Sequence, residues 1–315
     1  MKLLSAAIAA VGVAALVLVG ATPAMAAGNT IDPGDSMYVI DCDVDYPDFQ
    51  LLSVVSSTAV STPIGTGEGD DDDPCAAQPA HNPATGVSYY VRWFMDDDTE
   101  LGIINVATGV STVVAAFWEL DGEFPITIDV DSIAIGGDGS AYAIASGTLY
   151  SLNLATAELT EIGSMSDTGL YAFAWDSVTD KFYAISYDNN VYEVDVSDGT
   201  LAGLGSLSFV SASDYEYTYS LQFDQAGTAW IEVDNSFPGG AGLWSLKLSD
   251  LAGTVYSGNF TDDAFYTEAL LIIPGKPALA NTGVDSSVAP LFAGGAALLA
   301  LAGATLLVVR RRRSA

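Results

Sequence analysis

Between residues 51 and 250 the chain repeats one short pattern five times. An apolar residue is followed four positions later by a polar or small one, and then by a Thr-Gly-like turn. Leu101…Asn105…Thr108-Gly109 is the clearest copy, with Leu149…Asn153…Thr156-Ala157 and Val191…Asp195…Asp198-Gly199 close behind. Leu51…Val55…Thr58-Ala59 and the looser Leu243…Lys247…Asp250 complete the set. The first residues are spaced by 50, 48, 42 and 52 positions. A period of this length limits the chain to architectures that stack equivalent units, because one unit alone cannot cover its own apolar faces.

A second pattern shows what each unit contains. An aromatic stands three residues after a Gly or Asp at Gly86…Tyr89, Gly139…Tyr142, Asp180…Tyr183 and Gly227…Trp230. Before the last three lie the apolar runs Ile133-Ala134-Ile135, Phe173-Ala174-Trp175 and Leu221-Gln222-Phe223. Each reads as a hairpin whose turn residue takes positive φ. With the strand at the first pattern and one after it (Leu159–Ile162, Thr200–Leu204), a unit holds four strands, and no amphipathic helix is legible over 35–273. The expected fold is all-β, a β-propeller of five four-stranded blades. The first unit has strands at Met37–Ile40, near Leu51 and at Val60–Ile64, but no inner strand before them. Thr267 to Ile273 is one apolar strand too many at the other end. The C-terminal strand is therefore expected to complete the first blade and close the ring. A tandem of small β-sandwiches is the competing arrangement, and 35–273 holds no boundary linker to support it. The copies lack the Gly-His…Trp-Asp signature of WD repeats and the paired glycines of kelch repeats. They resemble, at the level of fold, the Asp-x-x-x-Gly-x-x-Tyr units of secreted NHL-like or quinoprotein-like propellers.

The ends describe export. Lys2, an apolar run from Leu3 to Val19 and the small-x-small Ala24-Met25-Ala26 form a secretory signal peptide (1–26), with cleavage expected between Ala26 and Ala27. At the other end Leu279-Ala280-Asn281-Thr282-Gly283 lies in a linker (276–287) near Pro274 and Pro277. An uncharged Leu/Ala/Val-rich segment at 288–309 and a basic tail at 310–315, with arginine at 310–313, follow. About 20 such residues make a transmembrane helix, and the arginines belong inside. This three-part tail resembles the cell-wall sorting signal of Gram-positive LPXTG surface proteins, in its LAXTG variant, since Ala280 replaces the usual proline. The resemblance implies that a sortase cysteine attacks the Thr282 carbonyl and releases Gly283 onward, and that the acyl group passes to peptidoglycan. The helix would then be a transient membrane stop for a secreted, cell-wall-anchored protein. A plain membrane anchor is the alternative.

The expected mature chain, 27–282, has 39 acidic against 4 basic residues once Asp285, Lys2 and the four arginines are set aside. A net charge of −35 repels polyanions and excludes nucleic acid as a partner. Cys42 and Cys75, an even count in an exported domain, read as one disulfide closing a loop of about 30 residues, worth roughly 3 kcal/mol. The alternative is two buried thiols.

Chemistry is sparse. The one histidine, His81, precedes a Pro-containing turn and reads as a turn or packing residue. With the cysteines paired, neither a Ser-His-Asp nor a Cys-His set is legible. No cofactor is implied, and the domain (27–275) is expected not to be an enzyme. Asp41, Asp43, Asp45 and Asp48, and the runs Asp70–Asp73 and Asp96–Asp98, offer hard oxygen ligands but lack EF-hand spacing, and read as solvated loop charge. Trp93-Phe94, Phe117-Trp118 and the alternating Tyr215, Tyr217 and Tyr219 fall in or beside the longer insertions, where aromatic platforms suit sugars or peptides. Tyr142, Tyr183 and Trp230 read as core. The expected function is adhesion or binding of an extracellular glycan or protein through propeller loops. The alternatives are a glycosidase-like carbohydrate-active enzyme and a lectin-like calcium-dependent binder.

Overall fold

The computed structural model describes residues 30–41, 49–68, 75–93, 99–121, 124–207, 216–235, 242–260 and 267–275. These hold strands and turns and no helix. The first blade contains β1 (Ser36–Asp41), β2 (Phe49–Val55) and β3 (Val60–Glu68). The second contains β4 (Cys75–Asn82), β5 (Val87–Trp93), β6 (Thr99–Ile104) and β7 (Ser111–Ala116). A hairpin of β8 (Trp118–Asp121) and β9 (Phe124–Thr127) precedes the third blade, β10 (Ser132–Ile135), β11 (Ala141–Ala145), β12 (Thr148–Asn153) and β13 (Glu158–Ser164). The fourth is β14 (Leu170–Asp176), β15 (Lys181–Ser186), β16 (Asn190–Asp195) and β17 (Thr200–Ser206). The fifth is β18 (Glu216–Phe223), β19 (Ala229–Asn235), β20 (Gly242–Lys247) and β21 (Asp250–Asn259), followed by β22 (Thr267–Ile273).

Each blade is an antiparallel meander, and the inner strands β4, β10, β14, β18 and β22 touch in a closed circle. The chain is thus a five-bladed β-propeller. The last strand does complete the first blade, in the order β22-β1-β2-β3, with Val39 opposite Leu270 and Met37 opposite Ile272. Tandem sandwiches are excluded by this ring.

The repeats have a common physical role. Leu51, Leu101, Leu149, Val191 and Leu243 occupy the same place at the start of a third strand, and each is at most 1% exposed. The polar residue four positions later closes the following turn. Asn105, Asn153 and Asp195 accept a backbone N–H two residues on at their side-chain oxygens, at 2.9–3.0 Å. Gly109, Ala157, Gly199 and Ala59 then take φ between 55° and 81°. Glycine is required at Gly109 for a further reason. A Cβ there would lie 2.4 Å from the Ile64 carbonyl oxygen of the neighbouring blade. Gly258 makes the same kind of approach, to Thr58, where the fifth blade meets the first. The turns are seams between blades as well as ends of strands.

The hairpin turns also take the expected backbone, with φ of 75° at Gly86, 87° at Gly139, 56° at Asp180 and 67° at Gly227. The insertion at 117–127 forms strands in its own right. β8 pairs in parallel with β13, making the third sheet six-stranded, and the Trp118 indole N–H donates to the Thr156 carbonyl at 3.0 Å. Phe117 is fully buried. Tyr217 and Tyr219 lie within inner strand β18, beside the insertion rather than in it.

One half-buried carboxylate predicts a pH dependence. Asp131, just before β10, accepts the Ser146 backbone N–H at 2.8 Å, yet burial pushes its pKa up to about 6. A raised folded value means that the protonated form favours folding. That contribution is full below the ordinary carboxylate range and fades as pH rises through about 6. Asp131→Asn, which resembles the protonated form, is expected to be more stable than the parent by about 1–2 kcal/mol near neutral pH and equal to it in acid. Melting curves across that range check it.

Candidate functional site

The turns between the inner two strands of each blade gather on one face of the ring. On the first blade this turn is not continuous, because its inner strand comes from the other end of the chain. Asp35 bridges the break. Its carboxylate accepts the Gly275 backbone N–H at 2.7 Å, the Gln225 backbone N–H at 2.9 Å and the Gln225 side-chain N–H at 2.6 Å. The Gln225 amide also donates to the Gly275 carbonyl at 2.7 Å. Both ends of the propeller are thereby fastened to the fifth blade on this face.

At the centre of the same face the channel narrows to a cavity of about 40 Å³, lined by residues including His81, Trp175, Gln222 and Pro274. That volume suits water rather than a ligand. Gln222 on β18 closes the passage by donating to the Pro79 carbonyl of β4 at 2.7 Å. His81, next to the end of β4, is half-buried, with Nδ1 3.0 Å from the Ser88 hydroxyl oxygen, and burial lowers its pKa. Ser88 is itself only 3% exposed, so the pair orients the imidazole and offers no nucleophile to solvent.

Beside this mouth, between the third and fourth blades, a cleft of about 470 Å³ opens to solvent. One wall is the β10–β11 turn, Gly136, Gly137, Asp138 and Ser140, with Tyr142 behind it. Trp175, Asp180 and Phe182 of the next blade form the other. Gly137 admits the indole, since a Cβ there would lie 2.7 Å from the six-membered ring of Trp175. The Trp175 N–H donates to the Asp180 carboxylate at 3.1 Å, which fixes the ring plane. Tyr142 meets Phe182 edge to face, centroids 5.1 Å apart, and is held in turn. Asp138 accepts the Ser140 backbone N–H at 2.8 Å, and that bond holds its carboxyl below the usual range. The space is ligand-sized, with two half-exposed aromatic walls and two exposed carboxylates.

No family model matches the chain, and no curated protein does. Distant structural likenesses exist. TolB from Acinetobacter baumannii is 13% identical over 73% of this chain, with a TM-score of 0.43. A chain of a nidogen/laminin complex is 9% identical, covers 76% of this chain and 98% of its own length, and gives 0.46. The calcium-binding protein regucalcin from Agrobacterium tumefaciens is 13% identical, covers 64% and 65%, and gives 0.42. The chain spans about half the length of the TolB chain. The propeller assignment rests on the sheet topology itself.

The residues singled out in the sequence scatter. Leu279, Ala280, Asn281, Thr282 and Gly283, Ala26 and Ala27, and the 288–309 segment lie outside the described residues, as do Asp43, Asp45, Asp48, Asp70–Asp73, Asp96–Asp98, Phe94 and Tyr215. So does Cys42, and with it the expected disulfide, while Cys75 begins β4. Asp41 ends β1 and Trp93 ends β5. Among the described residues no three His, Cys, Asp or Glu side chains gather closely enough to hold a metal. Tyr183 and Trp230 are buried, as expected of core residues. Tyr142 is half-exposed and lines the cleft, so its place in the core is only partial. Sequence reasoning passed over Trp175 and Asp138 as a site. The available signal was a tryptophan next to the end of an inner strand, with a Gly-Gly-Asp-Gly turn one repeat earlier.

Proposed function

We propose that the chain is an exported ligand-binding propeller, held at the cell surface by sortase-mediated attachment through Thr282, and that its ligand enters the cleft between the third and fourth blades. The observation that carries the binding reading is the fixed Trp175–Asp180 pair facing Tyr142 and Asp138 across a ligand-sized space. Export and anchoring draw their support from the two end segments alone. The reading is non-catalytic. A glycosidase acid needs a raised pKa. Asp138 is instead held low by the Ser140 N–H, as suits a hydrogen-bond acceptor.

Two measurements test it. In mass spectra of protein released from purified walls by a muramidase, the C-terminal peptide is expected to end at Thr282 and carry a wall-peptide remnant. An intact C-terminus reaching the arginines would refute anchoring. In a panel of extracellular polysaccharides and matrix proteins, Trp175→Ala is expected to lose at least about tenfold in affinity for whichever ligand binds, the scale of a central aromatic anchor. Unchanged binding would remove the cleft from the account.

A further inference from the structure

The cleft and the C-terminal end of the propeller share a face. Trp175, which walls the cleft, also lines the channel mouth together with Pro274, and Gly275 is clasped there by Asp35. Only seven residues, 276–282, separate Gly275 from the expected point of attachment. Fully extended, they reach about 25 Å. A propeller tethered so closely by this face turns its cleft toward the wall and away from the medium.

We infer that the cleft binds the wall glycan of the cell that carries the protein, through hexosamine rings bearing a free amine. This deepens the proposed function and rests on the anchoring at Thr282. The chemistry of the cleft selects the ligand. Flat aromatic faces at Trp175 and Tyr142 suit the C–H faces of a pyranose. The Asp138 and Asp180 carboxylates accept hydrogen bonds from hydroxyls, and Asp138, exposed on the turn and oriented by the Ser140 N–H, pairs with an ammonium. The chain carries a net charge of −31, which disfavours uronic acids, phosphate-bearing polymers and other anionic glycans at the same place. An open cleft of about 470 Å³ admits a polymer passing through, whereas a lysine side chain of a protein partner would call for a narrow socket. Contact in cis would hold the domain flat on the wall by a second point. A short tether then makes the local concentration of glycan high and lets a weak site suffice.

The test uses the full-length protein in mild detergent, purified sacculi from the same cells, and small probes. The protein is expected to co-sediment with sacculi. Calorimetry is expected to show glucosamine binding about tenfold or more tighter than N-acetylglucosamine, and glucuronate not at all. Trp175→Ala should abolish sedimentation. Asp138→Asn, on an exposed turn where the amide oxygen still accepts the Ser140 N–H, should level glucosamine with its N-acetyl form and leave the fold intact. Failure to sediment, equal binding of glucuronate and glucosamine, or tighter binding of Nα-acetyl-lysine amide than of glucosamine would each overturn the inference. If sedimentation fails while the muramidase-released peptide still ends at Thr282, the anchored binding domain survives and only its ligand changes. If the peptide reaches the arginines, the anchoring on which the inference rests is lost, and contact with the wall in cis falls with it whatever the sedimentation shows.

Discussion

Cutting the chain after residue 266 is expected to abolish the cooperative unfolding transition rather than lower its midpoint. Strand β22 supplies Ala269, Leu270, Leu271 and Ile272, each at most 2% exposed, to the circle of inner strands. Burying three large aliphatic side chains contributes about 1.5–3 kcal/mol each. Their loss alone is about 5–9 kcal/mol, the size of a whole domain's stability. The truncated chain would also leave β1 as an unpaired edge, with buried Val39 and Ile40 on a strand free to recruit another copy. Aggregation is the expected fate, read by sedimentation velocity alongside circular dichroism. Leu270→Ala, which keeps every backbone bond, is expected to cost about 2–5 kcal/mol and to retain a single transition. A peptide of residues 267–275 added to the truncated chain should restore part of the signal. A truncated chain that stays monomeric and melts cooperatively would mean that the other four blades hold without the first being completed.

This closure was legible because a strand count failed to balance. The first unit lacked an inner strand, and an apolar run without a unit stood at the far end. The third-strand residues were legible for a related reason. Leu51, Leu101, Leu149, Val191 and Leu243 meet one environment five times, and a shared environment leaves a shared residue type. Strand β4 was not legible. Gln78, Pro79 and His81 interrupt its apolar pattern, and its pairing slips between Ala77 and Ala80 with φ of 41° at Gln78. A bulge hides a strand from any reading based on alternation. The hairpin at 118–127 was hidden otherwise. Its pairing partner is β13, some 40 residues on, and neither segment alone announces the other. The candidate cleft had the weakest signal. It exists only where a turn of one blade faces the inner strands of the next, so Asp138 and Trp175 become neighbours through ring geometry that a linear pattern does not contain. Tyr142 looked like core because an aromatic recurs at its repeat position, and that position is buried in the fourth and fifth units, at Tyr183 and Trp230. In the third unit the Gly136-Gly137 turn stands in front of Tyr142 and, with Trp175 across, forms an open cleft.

Trp230 is the point where burial and hydrogen bonding can be separated. It is fully buried at the closing seam, packed in one cluster with Met37, Val39, Leu52 and Ala59 of the first blade and with Leu270 of the strand that completes it. Its indole N–H donates to Asp224 at 3.1 Å. The other oxygen of Asp224 accepts the backbone N–H groups of Ala226 at 3.0 Å and Thr228 at 2.8 Å, while Lys247 braces the same turn through the Thr228 hydroxyl at 2.9 Å. Trp230→Ala removes the largest side chain of the seam and is expected to cost about 3–5 kcal/mol. Trp230→Phe retains most of the contact area but deprives the Asp224 oxygen, itself 1% exposed, of its donor. The expected cost is about 1–3 kcal/mol, the penalty of an unsatisfied buried acceptor. Asp224→Asn keeps an oxygen for the turn and turns an amide N–H toward the indole N–H, donor against donor, so a comparable loss is expected. The double variant Trp230→Phe with Asp224→Asn should cost clearly less than the sum, because each change removes what the other frustrates. Urea denaturation of the four proteins gives the coupling. Strict additivity would show that the indole N–H and the carboxylate contribute nothing to each other, and the seam would then be held by packing alone.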